Sequence, residues 1–287
     1  MNGFINVLKP TGMSSSQAVG FVKKICKLKK VGHAGTLDPL AAGVLPIMLG
    51  RATKLFNYLQ DHQKEYVCEI CFGITTDTLD ADGTVIQRCE KIPSTKELDA
   101  ILPSFMGDIE QVPPKYSALK IQGERMYKLA RDGKDFEVPR RKTTVYQLQR
   151  LNNIEDGKVR IYIQCQSGFY VRSLCRDIGE ALGTAAFMNV LVRQSAGSFT
   201  LQKAFTVEEL EQMANANDFS FLMPMDDALQ HIPSVEVNQT ESFALANGRT
   251  ICTTVNNGLY RIYDTHSLLG IAYAKDQQLK LETILAI

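Results

Sequence analysis

The segment Gly32-His33-Ala34-Gly35-Thr36-Leu37-Asp38-Pro39-Leu40-Ala41-Ala42-Gly43-Val44-Leu45-Pro46 constrains this chain more than any other stretch of it. Its glycines permit tight or left-handed backbone and let a ligand approach the main chain, while Pro39 drives Asp38 towards extended geometry. A loop of this make-up holds a carboxylate rigidly. A lone Asp-Pro is ordinarily a turn device. Gly32, His33, Gly35 and Asp38 lie close together beside a basic helix, so a ligand-binding loop stands as an alternative to the turn reading.

The surrounding pattern predicts the elements that carry this loop. Gly3 to Leu8 reads as a short apolar strand. Ser14-Ser15-Ser16-Gln17 supplies a capping box for an amphipathic helix with Val19, Val22, Ile25 and Cys26 on one side. Lys23, Lys24, Lys27, Lys29 and Lys30 form its rim, a solvated face that could also touch phosphates. Ala52 to Leu59 is predicted as a helix, and Glu65 to Ile74, with its alternation, as a strand. Asp82-Gly83 marks a turn before another short strand. Tyr146 to Leu151 and Val159 to Gln166 flank Asp156-Gly157, a hairpin signature. Gly168 then leads into a helical pattern from Val171 to Leu182. These elements predict an α+β fold, a mixed and largely antiparallel sheet with flanking helices. Beyond Pro233 the strand-like runs Leu259 to Tyr263, Leu268 to Tyr273 and Leu279 to Leu285 indicate a small β-rich module. The expected division is 1–232 and 233–287, with the second part too short to stand well alone and so leaning on the first.

Length and composition fit that division: 287 residues, 45% hydrophobic and 22% charged, give one core of ordinary size and room for a smaller one. The net charge of +1 hides an asymmetry. Residues 204–287 hold 4 Lys/Arg and 11 Asp/Glu, a balance of −7; subtracted from totals of 32 and 31, this leaves 28 against 20, or +8, for residues 1–203. Local density of cations, not total charge, governs binding to a polyanion, so the first part suits one. Seven cysteines without framework spacing, and no apolar run after the amino terminus, lead us to expect a cytoplasmic protein without disulfides. The apolar stretches fall short of the roughly 20 residues of a membrane span. Cys68 and Cys71 form a C-x-x-C, but strand geometry sends them to opposite faces. His33, His62, His231 and His266 have no metal-binding spacing, and neither a phosphate-binding loop nor a dinucleotide fingerprint is present. The expectation is chemistry with no metal and no cofactor.

Four blocks of residues, in order, resemble the TruB family of tRNA pseudouridine synthases. The first is Leu8-Lys9-Pro10-x-Gly12-x-Ser14-Ser15. The second is the Gly32 to Pro46 loop with Gly50-x-Ala52-Thr53-Lys54. Pro113-Pro114-x-Tyr116-Ser117-Ala118-x-Lys120 with Gly123 and Tyr127 forms the third, and Tyr170-Val171-Arg172-Ser173-Leu174 the fourth. The resemblance covers roughly residues 3–200, and its second block is too long and unusual for a chance match. Phe169 departs from it, standing where the family usually has threonine, and so does Val192, which interrupts a usual Leu-Arg-Arg run and leaves only Arg193.

The resemblance implies that Asp38 is the catalytic aspartate, that Tyr66 stacks on the target base, and that Arg172 pairs with Asp38. It implies that His33 helps displace or replace the base, that Leu191 lines the pocket beneath the ring, that Tyr170 belongs to the substrate contacts, and that Lys9 and Pro10 buttress the floor. The implied substrate is the uridine at position 55 in the T arm stem-loop of tRNA, handled by a monomer without an obligate protein partner. The carboxy-terminal part weakly resembles the PUA-type modules that such enzymes append. Two other readings compete with it: an RNA chaperone that refolds the T arm with catalysis secondary or lost, and the catalytic subunit of a guide-RNA particle. Intact Asp38, Tyr66 and Arg172 speak against the first, and the lack of a long lysine-rich tail against the second.

Overall fold

The computed structural model describes residues 1–59, 63–117, 119–121, 123–134, 136–265 and 267–285; His62, Ala118 and His266, singled out above, lie outside them. In chain order the strands of the first part are β1 (Gly3–Lys9), β2 (Val31–His33), β3 (Ala42–Leu49), β4 (Lys64–Phe72), β5 (Ile74–Thr76), β6 (Val85–Arg88), β7 (Gly107–Gln111), β8 (Lys120–Ile121), β9 (Glu124–Arg125), β10 (Arg141–Arg150), β11 (Lys158–Cys165), β12 (Ala186–Ala196) and β13 (Phe199–Thr200). The main sheet runs β1-β3-β12-β4-β11-β10-β7, with β2 added to β3 and β13 to β12. Every pairing in it is antiparallel except β12 with β3, where Val192 lies opposite Ala42 and Arg193 opposite Gly43. This is the mixed, largely antiparallel α+β sheet that the sequence predicts. The pairs β5–β6 and β8–β9 form separate two-stranded ribbons.

Side-chain alternation explains which faces are buried. In β4, Tyr66, Cys68, Ile70 and Phe72 point into the core, while Cys71 lies on the other face as the odd spacing requires. β3 reads as an unbroken apolar run because both of its faces are covered. Leu45, Ile47 and Leu49 join the core under the helices, and Val44 and Met48 join a second core on the opposite face. The helix α1 (Ser15–Ile25) starts at the predicted capping box of Ser14 and Gln17. After α2 (Thr95–Ile101) and α3 (Met126–Arg131), the helix α4 (Val171–Ala181) buries Val171, Leu174, Cys175 and Ile178, the one-sided spacing of an amphipathic helix on a sheet. α5 (Val207–Asn215) completes the set in this part.

The helix expected over Ala52 to Leu59 is present as part of a 3-10 helix, Gly50–Leu59, in which Ala52 and Leu55 are buried at the three-residue spacing of the tighter coil. One expected element differs in form. The predicted strand Glu65 to Ile74 is broken at Gly73, whose φ of +86° turns the chain out of the main sheet into the ribbon. The predicted hairpin is present, and at its tip Asp156 (φ +48°) and Gly157 (φ +70°) take the left-handed conformations of a type I′ turn.

The carboxy-terminal part has β14 (Ser234–Glu236), α6 (Gln239–Ala246), β15 (Ile251–Cys252), β16 (Gly258–Tyr263), β17 (Leu268–Lys275) and β18 (Gln278–Ile284). Its strands form a sheet ordered β14-β16-β17-β18-β15, with a small core around Val237, Leu245, Ile262 and Leu279. Two of its residues belong elsewhere. Ile271 and Leu285 pack into the second core with Phe4, Val44, Leu55, Leu59 and Phe199. Polar contacts accompany this packing: Arg51 donates to the Leu285 carbonyl at 2.8 Å, Lys54 to that of Ile284 at 2.9 Å, and Arg261 meets Asp226 at 2.7 Å. Among the described residues no helix is long and apolar enough to cross a membrane.

Because Ile271 fills a core shared by both parts, Ile271→Ala should remove about 2–5 kcal/mol from the unfolding of the whole chain. Urea unfolding followed by intrinsic tyrosine fluorescence and circular dichroism should show one shifted transition; a fully retained main transition would contradict a shared core.

Candidate active site

A cavity of about 330 Å3 opens where the loop after β2, the start of β4, the middle of β12 and the turn before α4 converge; Asp38, Lys64, Tyr66, Tyr170, Arg172 and Leu191 are among the residues that line it. The loop carrying Asp38 is anchored on both sides. The Ser15 hydroxyl donates to the Leu37 carbonyl and accepts from the Leu37 N–H, both at 2.9 Å. The N–H of Gly12 donates to the Pro39 carbonyl at 2.8 Å. Lys9, fully buried at the end of β1, sends its ammonium to the carbonyls of Pro10 (2.9 Å), Met13 (2.6 Å) and Pro39 (3.4 Å). Burial pushes this lysine down to about 8, the charge of Asp38 working against the shift and that of Arg193 with it.

Asp38 presents a carboxylate one-third exposed to the cavity, and Arg172, 6% exposed, grips it at 3.0 Å. The same guanidinium meets Asp80 at 3.4 Å and donates to the carbonyls of Thr78 at 3.1 Å and Tyr116 at 3.0 Å. Arg172 sits in the first turn of α4, where its stem is held by the helix packing, so four groups from three distant segments converge on one fixed cation. Asp80 is buried and its carboxyl is raised by that burial, while the Thr78 hydroxyl, at 2.5 Å, and Arg172 oppose the rise.

Tyr66 faces the cavity from β4. Burial pushes its phenol up to about 12, with Arg193 beside its oxygen working the other way, so the hydroxyl carries its proton throughout the neutral range. Arg193 is buried completely under the Asp38 loop. Its Nε donates to the Val44 carbonyl at 2.7 Å and its Nη2 to that of Gly35 at 3.2 Å. The backbone of β12 passes so close to the loop that a Cβ on Gly43, at φ +110°, would lie 2.3 Å from the Arg193 carbonyl oxygen. Only glycine fits there. Lys64, two residues before Tyr66 and on the same face of β4, donates to the Ser167 hydroxyl at 3.0 Å, and burial pushes it down to about 8.

The structure therefore brings Asp38, Tyr66, Tyr170, Arg172 and Leu191 to one cavity and leaves three expected contacts outside its lining. Lys9 lies beneath the floor, where it ties loop carbonyls together. Pro10 is exposed at the strand end. His33 stands on β2 beside the loop, half-buried, with a buried Nδ1 that has no partner among the described residues. Burial lowers its imidazole, helped by Arg193 and Arg125, so it is neutral at neutral pH. Phe169 lines the cavity, and Val192 is half-buried. Sequence reasoning missed Asp80, Lys64 and Arg193. Asp80 lies in a turn rich in aspartates that reads as solvated. Lys64 could have been found by its same-face spacing from Tyr66. Among the described residues no cluster of His, Cys, Asp or Glu could hold a metal ion.

Comparison with known proteins places this geometry. Residues 23–171 match the model described as TruB family pseudouridylate synthase (N terminal domain), and residues 172–230 match the tRNA pseudouridylate synthase B C-terminal domain. The border between those models falls at the start of α4, whereas β12, beyond it, lies in the middle of the main sheet. The chain is 39% identical to tRNA pseudouridine synthase B of Caldanaerobacter subterraneus subsp. tengcongensis over 98% of each chain. It is 43% identical to the protein of that name from Alkaliphilus oremlandii, over 94% of this chain and 88% of the other. Among solved structures it resembles a Cbf5-Nop10-Gar1 complex, with a TM-score of 0.75 and 26% identity over 98% of this chain and 84% of that one. A likeness of this extent includes the carboxy-terminal sheet, which has the character of a PUA-like module. With close relatives matched along nearly its whole length, the chain belongs to the TruB family of pseudouridylate synthases, isomerases that act on RNA.

Proposed function

We propose that this enzyme converts uridine 55 in the T arm stem-loop of tRNA to pseudouridine, with Asp38 as its catalytic carboxylate. The observation that carries this reading is the position of Asp38, fixed by a buried Arg172 and facing Tyr66 across a cavity of the small size suited to one nucleoside. The curated relatives named above supply the tRNA substrate. The position within the tRNA rests on the family resemblance. The enzyme works as a cytoplasmic monomer, without metal or cofactor, in which residues 1–232 do the chemistry and 233–287 contribute contacts to RNA.

A uridine must leave its stack to reach the cavity, at a cost of a few kcal/mol. The ring of Tyr66 offsets part of that from inside. His33, uncharged at neutral pH, fills the vacated place in the RNA without the cost of desolvating an imidazolium. Leu191 supports the base from below and Tyr170 borders it. Asp38 then either bonds to C1′ as the N1–C1′ bond breaks, or takes the proton on C2′ so that the C2′–H electron pair becomes the C1′=C2′ double bond of a glycal. In both routes the N1–C1′ electron pair leaves with the uracil, which turns until C5 faces C1′. Bond formation at C1′ expels the Asp38 ester or returns the proton from Asp38 to C2′.

The C5 proton must finally leave and N1 must gain one. A phenol held near 12 is no resting base. Tyr66 can still serve by exchange, taking the C5 proton as its own moves to the uracil, with no change in its net charge. Arg172 and Asp80 do not move protons here; they hold the position of Asp38.

Two variants test this. Asp38→Asn is nearly isosteric and keeps the loop anchors, so tRNA affinity should stay within about threefold while pseudouridine formation on an unmodified transcript falls by more than about a thousandfold. Catalysis surviving in that protein would show that the Asp38 carboxylate is not the catalyst and would withdraw this loop as the active site. Tyr66→Phe keeps the ring and loses the exchange, so tritium release from [5-3H]uridine tRNA should slow by about 10²–10⁴-fold with affinity preserved. Full turnover by the phenylalanine protein would make Tyr66 a platform only.

A further inference from the structure

Two cations flank one point of the cavity wall, and neither has a carboxylate at ion-pair distance among the described residues. A Cβ placed on Gly35 would lie 3.3 Å from the ammonium of Lys64 and 3.6 Å from Nη1 of Arg193. Nη1 of Arg193 is buried and has no hydrogen-bond partner among the described residues, although the guanidinium lies beside the Tyr66 oxygen. Among the described residues, the side chain that receives a hydrogen bond from Lys64 is the neutral hydroxyl of Ser167. Like charges brought together out of water, with no counter-charge, are costly to keep. An anion that occupies the cavity only during the reaction would relieve that cost at the moment it forms.

The reaction proposed above generates such an anion. When N1–C1′ breaks, the bonding pair stays on N1 and its charge spreads over O2 and O4 of the free uracil. Lys64 shares a strand face with Tyr66, which stacks on that ring, at the roughly 7 Å spacing of alternate strand residues. We propose that Lys64 is a catalytic residue of this enzyme, its ammonium receiving the negative charge of the detached uracil through a charge-assisted hydrogen bond to a ring carbonyl, with Arg193 as the positioning cation behind it. The inference rests on the function proposed above. In the step, electrons pass from the N1–C1′ bond to the base, and C1′ is compensated by Asp38 in one of the two ways already given. Lys64 keeps its proton and adds no atom. The charge is dispersed again when C5 bonds to C1′, which frees the base from the lysine for the final proton exchange.

The test uses the full chain, an unmodified tRNA transcript, and a second transcript carrying 5-fluorouridine at the target. Fluorine stabilises the detached anion and so replaces part of what the lysine supplies. Lys64→Met should slow single-turnover consumption of uridine by about a hundredfold at saturating enzyme, the loss seen when one donor to a developing anion is removed. Its Kd should stay within about threefold of the parent. On the fluorinated RNA, read as loss of 5-fluorouridine from nuclease digests, the gap between the two proteins should shrink at least about tenfold. Lys64→Arg should restore most of the rate, which guards against a defect that comes only from misfolding.

Equal slowing on both RNAs would overturn the proposal in favour of a structural role. A weakened Kd with an unchanged saturating rate would overturn it in favour of a backbone phosphate contact, and an arginine variant as slow as the methionine one would show that charge is not what acts. Failure of the parent protein to make any pseudouridine would instead remove the function on which the inference stands, a result distinct from a parent that works and a Lys64→Met that works equally well.

Discussion

The guanidinium of Arg172 holds the active region together. It is buried in the first turn of α4 and satisfied by Asp38, Asp80 and the carbonyls of Thr78 and Tyr116. A cation in that position has no cheap alternative, since leaving it unpaired in the interior costs about 3–5 kcal/mol. The loop after β2, the turn after β5 and the segment before β8 are therefore drawn to one point by a single side chain. Asp38 is the partner left partly open to the cavity, so the carboxylate proposed to react is also the one whose position the network fixes.

That network works only because the sheet brings its members within reach. The parallel contact of β12 with β3 sets Arg193 against Gly43, and the missing Cβ lets the backbones close to a distance no other residue allows. Arg193 then reaches beneath the loop to Val44 and Gly35, while Lys9 ties Pro39 from the other side. The loop has little regular hydrogen bonding of its own. Its rigidity is borrowed from β1, β3 and β12, which are among the best-packed strands of the main core, and from Ser15 at the head of α1.

How much of this could be read from the sequence depended on whether the signal was local. Capping at Ser14, alternation in β4, the Asp156-Gly157 turn and the amphipathic spacing of α4 are properties of neighbouring residues, and each produced its element. Ala52 to Leu59 is helical as expected, within the 3-10 helix Gly50–Leu59, but a stretch of mixed polarity does not distinguish that form from an α-helix. In the site, Asp38, Tyr170 and Arg172 are expected from motif blocks that resemble the family and Tyr66 and Leu191 from the resemblance outside those blocks, and all five line the cavity. Asp80 was not, because its role depends on Arg172, far away in the chain, and a turn of aspartates otherwise reads as solvated. Arg193 was noted only as the remainder of an interrupted arginine run, since nothing local says that an arginine in a strand will be buried.

Four cations, Lys9, Lys64, Arg172 and Arg193, surround two carboxylates, Asp38 and Asp80, in and beneath the cavity. The excess of positive charge inside the site has the same sign as the +8 of residues 1–203, so the field that attracts a polyanion continues to the point of reaction. Its maintenance has a cost that can be located in pH. Lys9 and Lys64 bind protons less well in the folded protein, near 8, than at the ordinary 10.5 of an unfolded chain. Between those values the unfolded state holds more protons, so these two groups make the fold gain stability as pH rises and lose it again towards neutrality. The positive field follows the opposite course, strongest below 8 and fading above it. At neutral pH the protein therefore occupies the side on which its fold bears the penalty of one buried and one half-buried ammonium group and its cavity has the charge, an arrangement that makes sense for a site whose substrate is RNA and whose chemistry sends an electron pair onto the departing base.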